Sequence, residues 1–431
     1  MIPHLAQIAK SRFDYSGNLG QHGRVMAIRY LRQIQGFSRN ARLYLLAAFI
    51  RGIQFGIFRL IFNLYIVSLG YRQDFLGLLR ALDPLVMLLA SLPAGILSDR
   101  IGRKRALLLS SVGRMFSLLG FVFAPGAAGL LVSSAALGGA KTLLHVSRLP
   151  FMVENSDEHN RTALFSADFS LLMLAGFLGN LLGGWLPGWL GTWMGVAAES
   201  AAPYRLTVVA MAVLIALSAA PYLFLQPRQE AYVADQRHSP WTAFREWPLL
   251  VRLLLPTLLI SLGGGLLVPF LNLYMKQTFT LPDSTLGFLF AIADLCTGLA
   301  LLVAPLLGKR WGKVGATAIT QVATAPFLLA LGFVPALPVA VATLWGQAAL
   351  MRAGDPLYSA FTMERVKPRQ RGTVASLRNM AWTFGRAAGQ SLSGLVQVQW
   401  GFGPLFVASP ALYLASAGLI FTFFARKEKS P

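Results

Sequence analysis

From about Arg42 onward the chain is a succession of apolar runs, each about 20 residues long, separated by short polar or Gly/Pro breaks. This alternation limits the fold more than any single motif does. A helix of about 20 residues rises about 30 Å, the thickness of the hydrocarbon core of a bilayer. Twelve such runs can be counted, near 42–69, 75–98, 105–125, 128–153, 162–187, 203–225, 250–275, 284–307, 314–333, 336–362, 372–398 and 402–424. With 431 residues, 55% hydrophobic and 13% charged, the chain has too little polar surface for a soluble protein, so an all-α integral membrane protein is expected. The net charge of +21 would point to nucleic acid in a soluble chain. Here many of the basic residues sit in short loops at the ends of apolar runs, so the partner they imply is the lipid bilayer and not nucleic acid.

Loop charge sets the topology. The turns after runs 2, 4, 6, 8 and 10 carry Arg100, Arg103, Lys104 and Arg105; Arg161; Arg228, Arg237 and Arg245; Lys309, Arg310 and Lys313; and Arg365, Lys367, Arg369 and Arg371. The turns after runs 3, 9 and 11 carry neither Lys nor Arg. By the positive-inside rule the basic side is cytoplasmic, both termini lie there, and the protein belongs in the cell membrane. Residues 1–41 are basic and lack the apolar core and cleavage site of a secretory signal, which predicts a cytoplasmic extension. Residues 226–249, with Pro227, Arg228, Glu230, Asp235, Pro240 and Glu246, read as a cytoplasmic strap, and 425–431 as a cytoplasmic tail. Cys296 is the only cysteine, so no intrachain disulfide or cysteine metal cluster can form.

The chain also repeats itself. A shift of 210 residues superposes Gly77 on Gly287, Arg100 on Arg310, Gly102 on Gly312, Phe151 on Phe361, Glu154 on Glu364, Arg161 on Arg371, Gly179 on Gly389 and Gly184 on Gly394. With one residue less, Asn63-Leu64-Tyr65 falls on Asn272-Leu273-Tyr274. Two six-helix bundles with parallel topology follow, over 42–225 and 250–424.

Between runs 2 and 3 stands Gly95-Ile96-Leu97-Ser98-Asp99-Arg100-Ile101-Gly102-Arg103-Lys104-Arg105. This stretch resembles the signature loop of the major facilitator superfamily, Gly-x-Leu-x-Asp-Arg-x-Gly-Arg-Lys, and matches it in register. The second copy, Gly308-Lys309-Arg310-Trp311-Gly312-Lys313, keeps the turn and replaces the acid with Lys309. Glu154 precedes Arg161 by seven residues, and Glu364 precedes Arg371 by seven, similar to the Glu-x6-Arg element of sugar porters. The resemblance implies two pseudo-symmetric six-helix bundles and secondary transport by alternating access. Carried over, Asp99, Arg100, Arg103, Glu154, Arg161, Arg310, Glu364 and Arg371 would form a cytoplasmic gate whose ion pairs hold the halves shut. No ATP-binding loop and no His-Glu-x2-His stretch is present, so neither an enzyme nor a cofactor is expected, and a monomer suffices.

Charges inside the apolar runs carry the functional argument. One unpaired charge at the centre of a membrane helix costs about 3 kcal/mol on insertion scales, so such groups must face water or one another. Arg51, Arg59, Arg80, Asp83, Lys141, His145, Arg148, Asp168, Asp294, Arg352, Asp355, Arg378 and Arg386 all lie within apolar runs. Arg80 with Asp83, and Arg352 with Asp355, are spaced to pair on one helix face. Arg59, Lys141, Asp294 and Arg386 fall nearest the midpoints of their runs, and three of the four are cationic, which suits an anionic solute. Asn63 and Asn272 offer amides either to a polar solute or to each other, and Trp382 can stack on a ligand or pack. The expected solute site is Arg59, Asn63, Lys141, His145, Asn272, Asp294, Asp355, Trp382 and Arg386. Asp83, His145, Asp168, Asp294 and Asp355 can titrate and are the candidates for proton coupling. Two alternatives stay open: proton-linked drug efflux, weakened because Ser134 stands where exporters carry an arginine before Gly138, and a non-transporting receptor on the same scaffold.

Overall fold

A computed structural model describes residues 36–226, 247–367 and 370–424. Most of the expected N-terminal extension and strap, and all of the C-terminal tail, lie outside these residues.

The described chain is helical throughout its length apart from caps and short turns. Its first part holds α1 (Arg39–Ser68), α2 (Gln73–Ile101), α3 (Arg103–Phe123), α4 (Ala127–Glu154), α5 (Glu158–Met194) and α6 (Ala201–Leu223). The second holds α7 (Trp247–Leu267), a 3-10 turn at Val268–Phe270, α8 (Leu271–Phe279), α9 (Asp283–Phe333), α10 (Leu337–Ala353), α11 (Asp355–Arg365), α12 (Arg371–Trp400) and α13 (Gly403–Phe424). Helices are the form that satisfies every backbone group inside a bilayer, and nine stretches among the described residues are long and apolar enough to cross one. The 51-residue α9 is too long for one crossing and breaks at Gly312. With α9 divided there, α7 joined to α8 and α10 to α11, helical segments stand at all twelve of the expected places.

The two copies of the basic turn have the same backbone. Gly102 sits at φ 83°, ψ 152° and Gly312 at φ 70°, ψ 166°, a region that a side chain would strain. Side-chain bonds repeat as well. Tyr65 donates its hydroxyl hydrogen to the carbonyl of Phe121 at 2.8 Å, and Tyr274, 209 residues on, donates to that of Leu331 at 2.8 Å.

Within the first part, α1 packs on α5 and α6, α3 on α4 and α6, and α2 on α4; within the second, α12 and α13 pack on α7, and α10 and α13 on α9. Where helices come closest they do so over glycine, as membrane helices require when no hydrophobic force drives them together. A β-carbon on Gly56 of α1 would stand 2.8 Å from the α-carbon of Gly179 of α5.

Two helix pairs make most of the contact between the parts, α2 with α12 and α5 with α9. Their crossing points are again glycines, and the two crossings are copies of one another. A β-carbon on Gly77 would lie 2.8 Å from the α-carbon of Gly394, and one on Gly184 would lie 2.9 Å from that of Gly287. Adding 210 to Gly77 gives Gly287, and adding 210 to Gly184 gives Gly394, so the pairs exchange under a two-fold rotation. Both crossings lie toward the end opposite the Gly102 and Gly312 turns. Nearer those turns the joining helices show apolar side chains, with Leu89 and Leu92 of α2 and Leu299 and Leu302 of α9 exposed.

Candidate functional site

The outer end, away from the basic turns, is sealed by polar bonds between the parts. Asn63 donates to the side-chain oxygen of Asn272 at 2.8 Å and to the carbonyl of Pro269 at 2.6 Å, while Asn272 donates to the carbonyl of Leu60 at 2.6 Å. Of the two roles open to these amides, bonding across the helices is the one the structure adopts, and both residues are buried. Further out, Lys276 pairs with Asp283 and, at 3.0 Å, with Glu199, and Tyr204 donates to Asp283 at 2.8 Å. None of these four stood among the expected site residues. Their charges lie in short breaks or at helix ends, where sequence cannot distinguish an interdomain pair from a solvated one.

Beneath the amide seal lies a layer of charge. Arg59 of α1 forms an ion pair with Asp294 of α9, crossing between the parts, and Asn180 of α5 donates to the same carboxylate oxygen at 2.8 Å. Asp294 is 13% exposed and Arg59 38%. Lys141 of α4 pairs with Asp83 of α2 at 2.5 Å and lies 5.0 Å from the centre of the Phe58 ring. Arg80 turns away from Asp83: its Nε donates to Asn63 at 2.7 Å, and its guanidinium stacks 4.8 Å from the Phe62 ring. The expected pair Arg80 with Asp83 therefore does not form, because Lys141 reaches the carboxylate first and Asn63 offers the arginine an acceptor. Arg352 and Asp355 likewise form no ion pair among the described residues; α10 ends at Ala353, and Asp355 opens α11.

Arg386 of α12 is half-buried and makes no hydrogen bond or ion pair with a described residue, yet lies within electrostatic reach of Asp83, Arg59 and Arg352. Nε of Arg59 and Nη2 of Arg80 are buried donors without a partner among the described residues. At this depth the site thus combines four cations, Arg59, Arg80, Lys141 and Arg386, with two carboxylates, Asp83 and Asp294, and holds donors to spare. Such an arrangement can bind an anion with little rearrangement.

The remaining expected residues are distributed around this layer. His145 is exposed and close to Arg148. Asp355 and Trp382 line a small void of about 20 Å³ inside the second part, together with Arg378 and Gln321. Asp168 is buried in the first part near Arg51 and Tyr44, with one carboxylate oxygen lacking a partner among the described residues. There Arg51 donates to Tyr222 at 2.9 Å and Arg114 to Gln54 at 2.7 Å. Arg114, Gln54 and Asn180 are site neighbours that sequence reasoning missed. Arg114 alone carried a signal, as a charge within an apolar run.

At the basic turns, Arg103 pairs with Asp99 at 2.6 Å and with Glu154 at 3.3 Å, and Lys313 pairs with Glu364, the copy of the second pair 210 residues on. Each of these pairs lies within one part. The expectation of ion pairs bridging the parts at this end is not met between described residues in this conformation. Arg310 stacks 5.1 Å from the Trp311 ring and Arg371 donates to the carbonyl of Met363 at 3.0 Å, while Arg100 is exposed and the Nε of Arg161 has no partner among the described residues. The hydrogen bonds between described residues of the two parts lie at the Arg59 layer or further out, and the apolar faces of α2 and α9 nearer the turns are exposed, so the described residues are closed at the outer end and open toward the turns.

Comparison with known proteins agrees with this architecture. A family model described as Major Facilitator Superfamily matches residues 44–261 and again 253–431. No curated protein gives a significant sequence match. Among solved structures, the nucleoside transporter NupG is similar with a TM-score of 0.70 and 16% identity, over 91% of this chain and 100% of that one. A bacterial homologue of the human lysosomal transporter Spinster, in an inward-facing and occupied conformation, is similar with a TM-score of 0.71 and 16% identity, over 91% of this chain and 98% of that one. At such identity the likeness is one of fold. The family match spans both halves, and the chain belongs to the Major Facilitator Superfamily of membrane transporters.

Proposed function

We propose that this transporter moves a small organic anion across the cell membrane by alternating access, and that the described conformation faces the cytoplasm with its outer end shut. The observation that carries the reading is the surplus of cations in the Arg59 layer, with Arg386 unpaired and buried donors of Arg59 and Arg80 unused. Surplus charge within membrane helices is tolerated where it borders a wet cavity, and a cavity of this sign draws solutes of the opposite one. The basic turns support a cytoplasmic location for both termini in this reading.

Proton coupling is proposed at Asp294. Its ion pair with Arg59 crosses from one half to the other at mid-depth, whereas the Asp83 to Lys141 pair stays within one half and can ride through a rocking motion intact. Protonation of Asp294 neutralises the tie and frees Arg59 for the solute, so the proton and the anion would travel together. Proteoliposomes loaded with a pH-sensitive dye test both statements: an anion gradient should drive proton movement, whereas a receptor would bind ligand and move neither.

A further inference from the structure

On the side of the basic turns, a cleft of about 730 Å³ opens between α5 and α9, with Asp294 and Phe177 at its deep end. The two helices touch at Gly184 and Gly287 and part from there. One face of each forms a wall: Phe165, Phe169 and Phe177 from α5, and Leu295, Leu299 and Leu302 from α9. Leu299 and Leu302 are 55% and 75% exposed, so the walls are apolar and uncovered in this conformation. A cleft of this volume accommodates a drug-sized ligand. Its deep end meets the cationic layer through the Asp294 to Arg59 pair.

We infer that this cleft receives the tail of an anionic single-chain amphiphile, an alkyl or acyl chain bearing one phosphate or carboxylate, whose head lies against Arg59 and its cationic neighbours. The head-group assignment rests on the anion reading above; the tail site is additional to it. Charge complementarity selects this occupant, since the apolar walls lead to a surplus of positive charge and not to a neutral pocket. The opposing account is that the two faces serve only to meet each other when the cytoplasmic end closes.

Equilibrium binding of radiolabelled butyl phosphate and dodecyl phosphate to the full-length protein in phosphatidylcholine nanodiscs, with empty discs subtracted, separates these accounts. Dodecyl phosphate should bind at least about tenfold more tightly than butyl phosphate. Gly298 and Ser170 also line the cleft, and Gly298→Trp and Ser170→Trp should each remove that gain and leave the affinity for butyl phosphate unchanged. A β-carbon on Gly298 meets nothing within 4 Å, so a side chain can leave the helix there without a clash at its base. Butyl phosphate binding with no gain from chain length would overturn the tail site and leave the anion reading standing. A gain that survives both substitutions would also overturn the tail site, since the chain would then lie in bulk lipid. Dodecanol binding as tightly as dodecyl phosphate, or no binding by either phosphate, would overturn the head-group assignment and the anion reading with it.

Discussion

Asn63 and Asn272 bond to each other across the pseudo-two-fold axis, and each also reaches the main-chain carbonyl three residues before its partner, Pro269 for Asn63 and Leu60 for Asn272. The exchange is reciprocal because the two side chains occupy equivalent positions of related helices. Together with the paired glycine crossings, it closes the end of the molecule opposite the basic turns.

Substituting Asn272→Ala should shift the protein toward its outward-open form. The change removes the bond from Asn63 and the bond to Leu60, each worth about 1 kcal/mol net, and leaves Asn63 partly unsatisfied, so a shift of about 1–3 kcal/mol is expected. Spin-label distances measured between the outer ends of α1 and α8 should lengthen; an unchanged distribution would remove the seal from these residues.

Arg59→Ala and Arg386→Ala should each abolish uptake or efflux of the anionic solute while expression and thermal stability of Arg386→Ala stay near wild type. Arg386 carries no intramolecular bond among the described residues, so its loss costs the fold little. Transport assays in proteoliposomes decide the matter, and unaltered flux in both variants would discard the anion site.

In Asp294→Asn the tie to Arg59 loses its charge permanently. Anion exchange between two loaded compartments should persist, because that exchange needs no net proton movement, whereas accumulation driven by a pH gradient should fall to background. Retained pH-driven accumulation would move proton coupling to another group, with Asp168 the next to test.

Lys141→Met strands Asp83, whose second oxygen already has no partner, and should destabilise the protein by about 3–5 kcal/mol. Adding Asp83→Asn should recover most of that loss, since a neutral pair of similar volume avoids the uncompensated charge. Thermal unfolding of the purified single and double variants reads this directly; a double variant no more stable than the single would show that the pair does not act as a unit.

Much of the architecture is legible in the sequence. Run length, basic turns and the 210-residue echo together call for two related bundles in a bilayer, and Gly102 and Gly312 mark the turns where only glycine is comfortable. The pairing of charges was not. Arg80 and Asp83 sit three apart, a spacing that favours contact, yet Lys141 on another helix takes the carboxylate and Asn63 takes the arginine. The expected gate shows the same gap: Glu154 and Glu364 were expected to tie the halves together, but among the described residues they pair with Arg103 and Lys313 of their own halves.

The division has a physical cause. Water and lipid act on every residue alike, so hydrophobic length, loop charge and the need to satisfy each backbone group are written locally and determine membrane insertion, helix count and internal symmetry from sequence alone. Which buried charge meets which depends on helix rotation, on the glycine contacts that set how closely helices approach, and on which end of the molecule is open. Those are properties of the packed assembly, and only the tertiary structure decided that Arg59 would cross to Asp294, that the two asparagines would bind each other, and that an apolar cleft would open beside them.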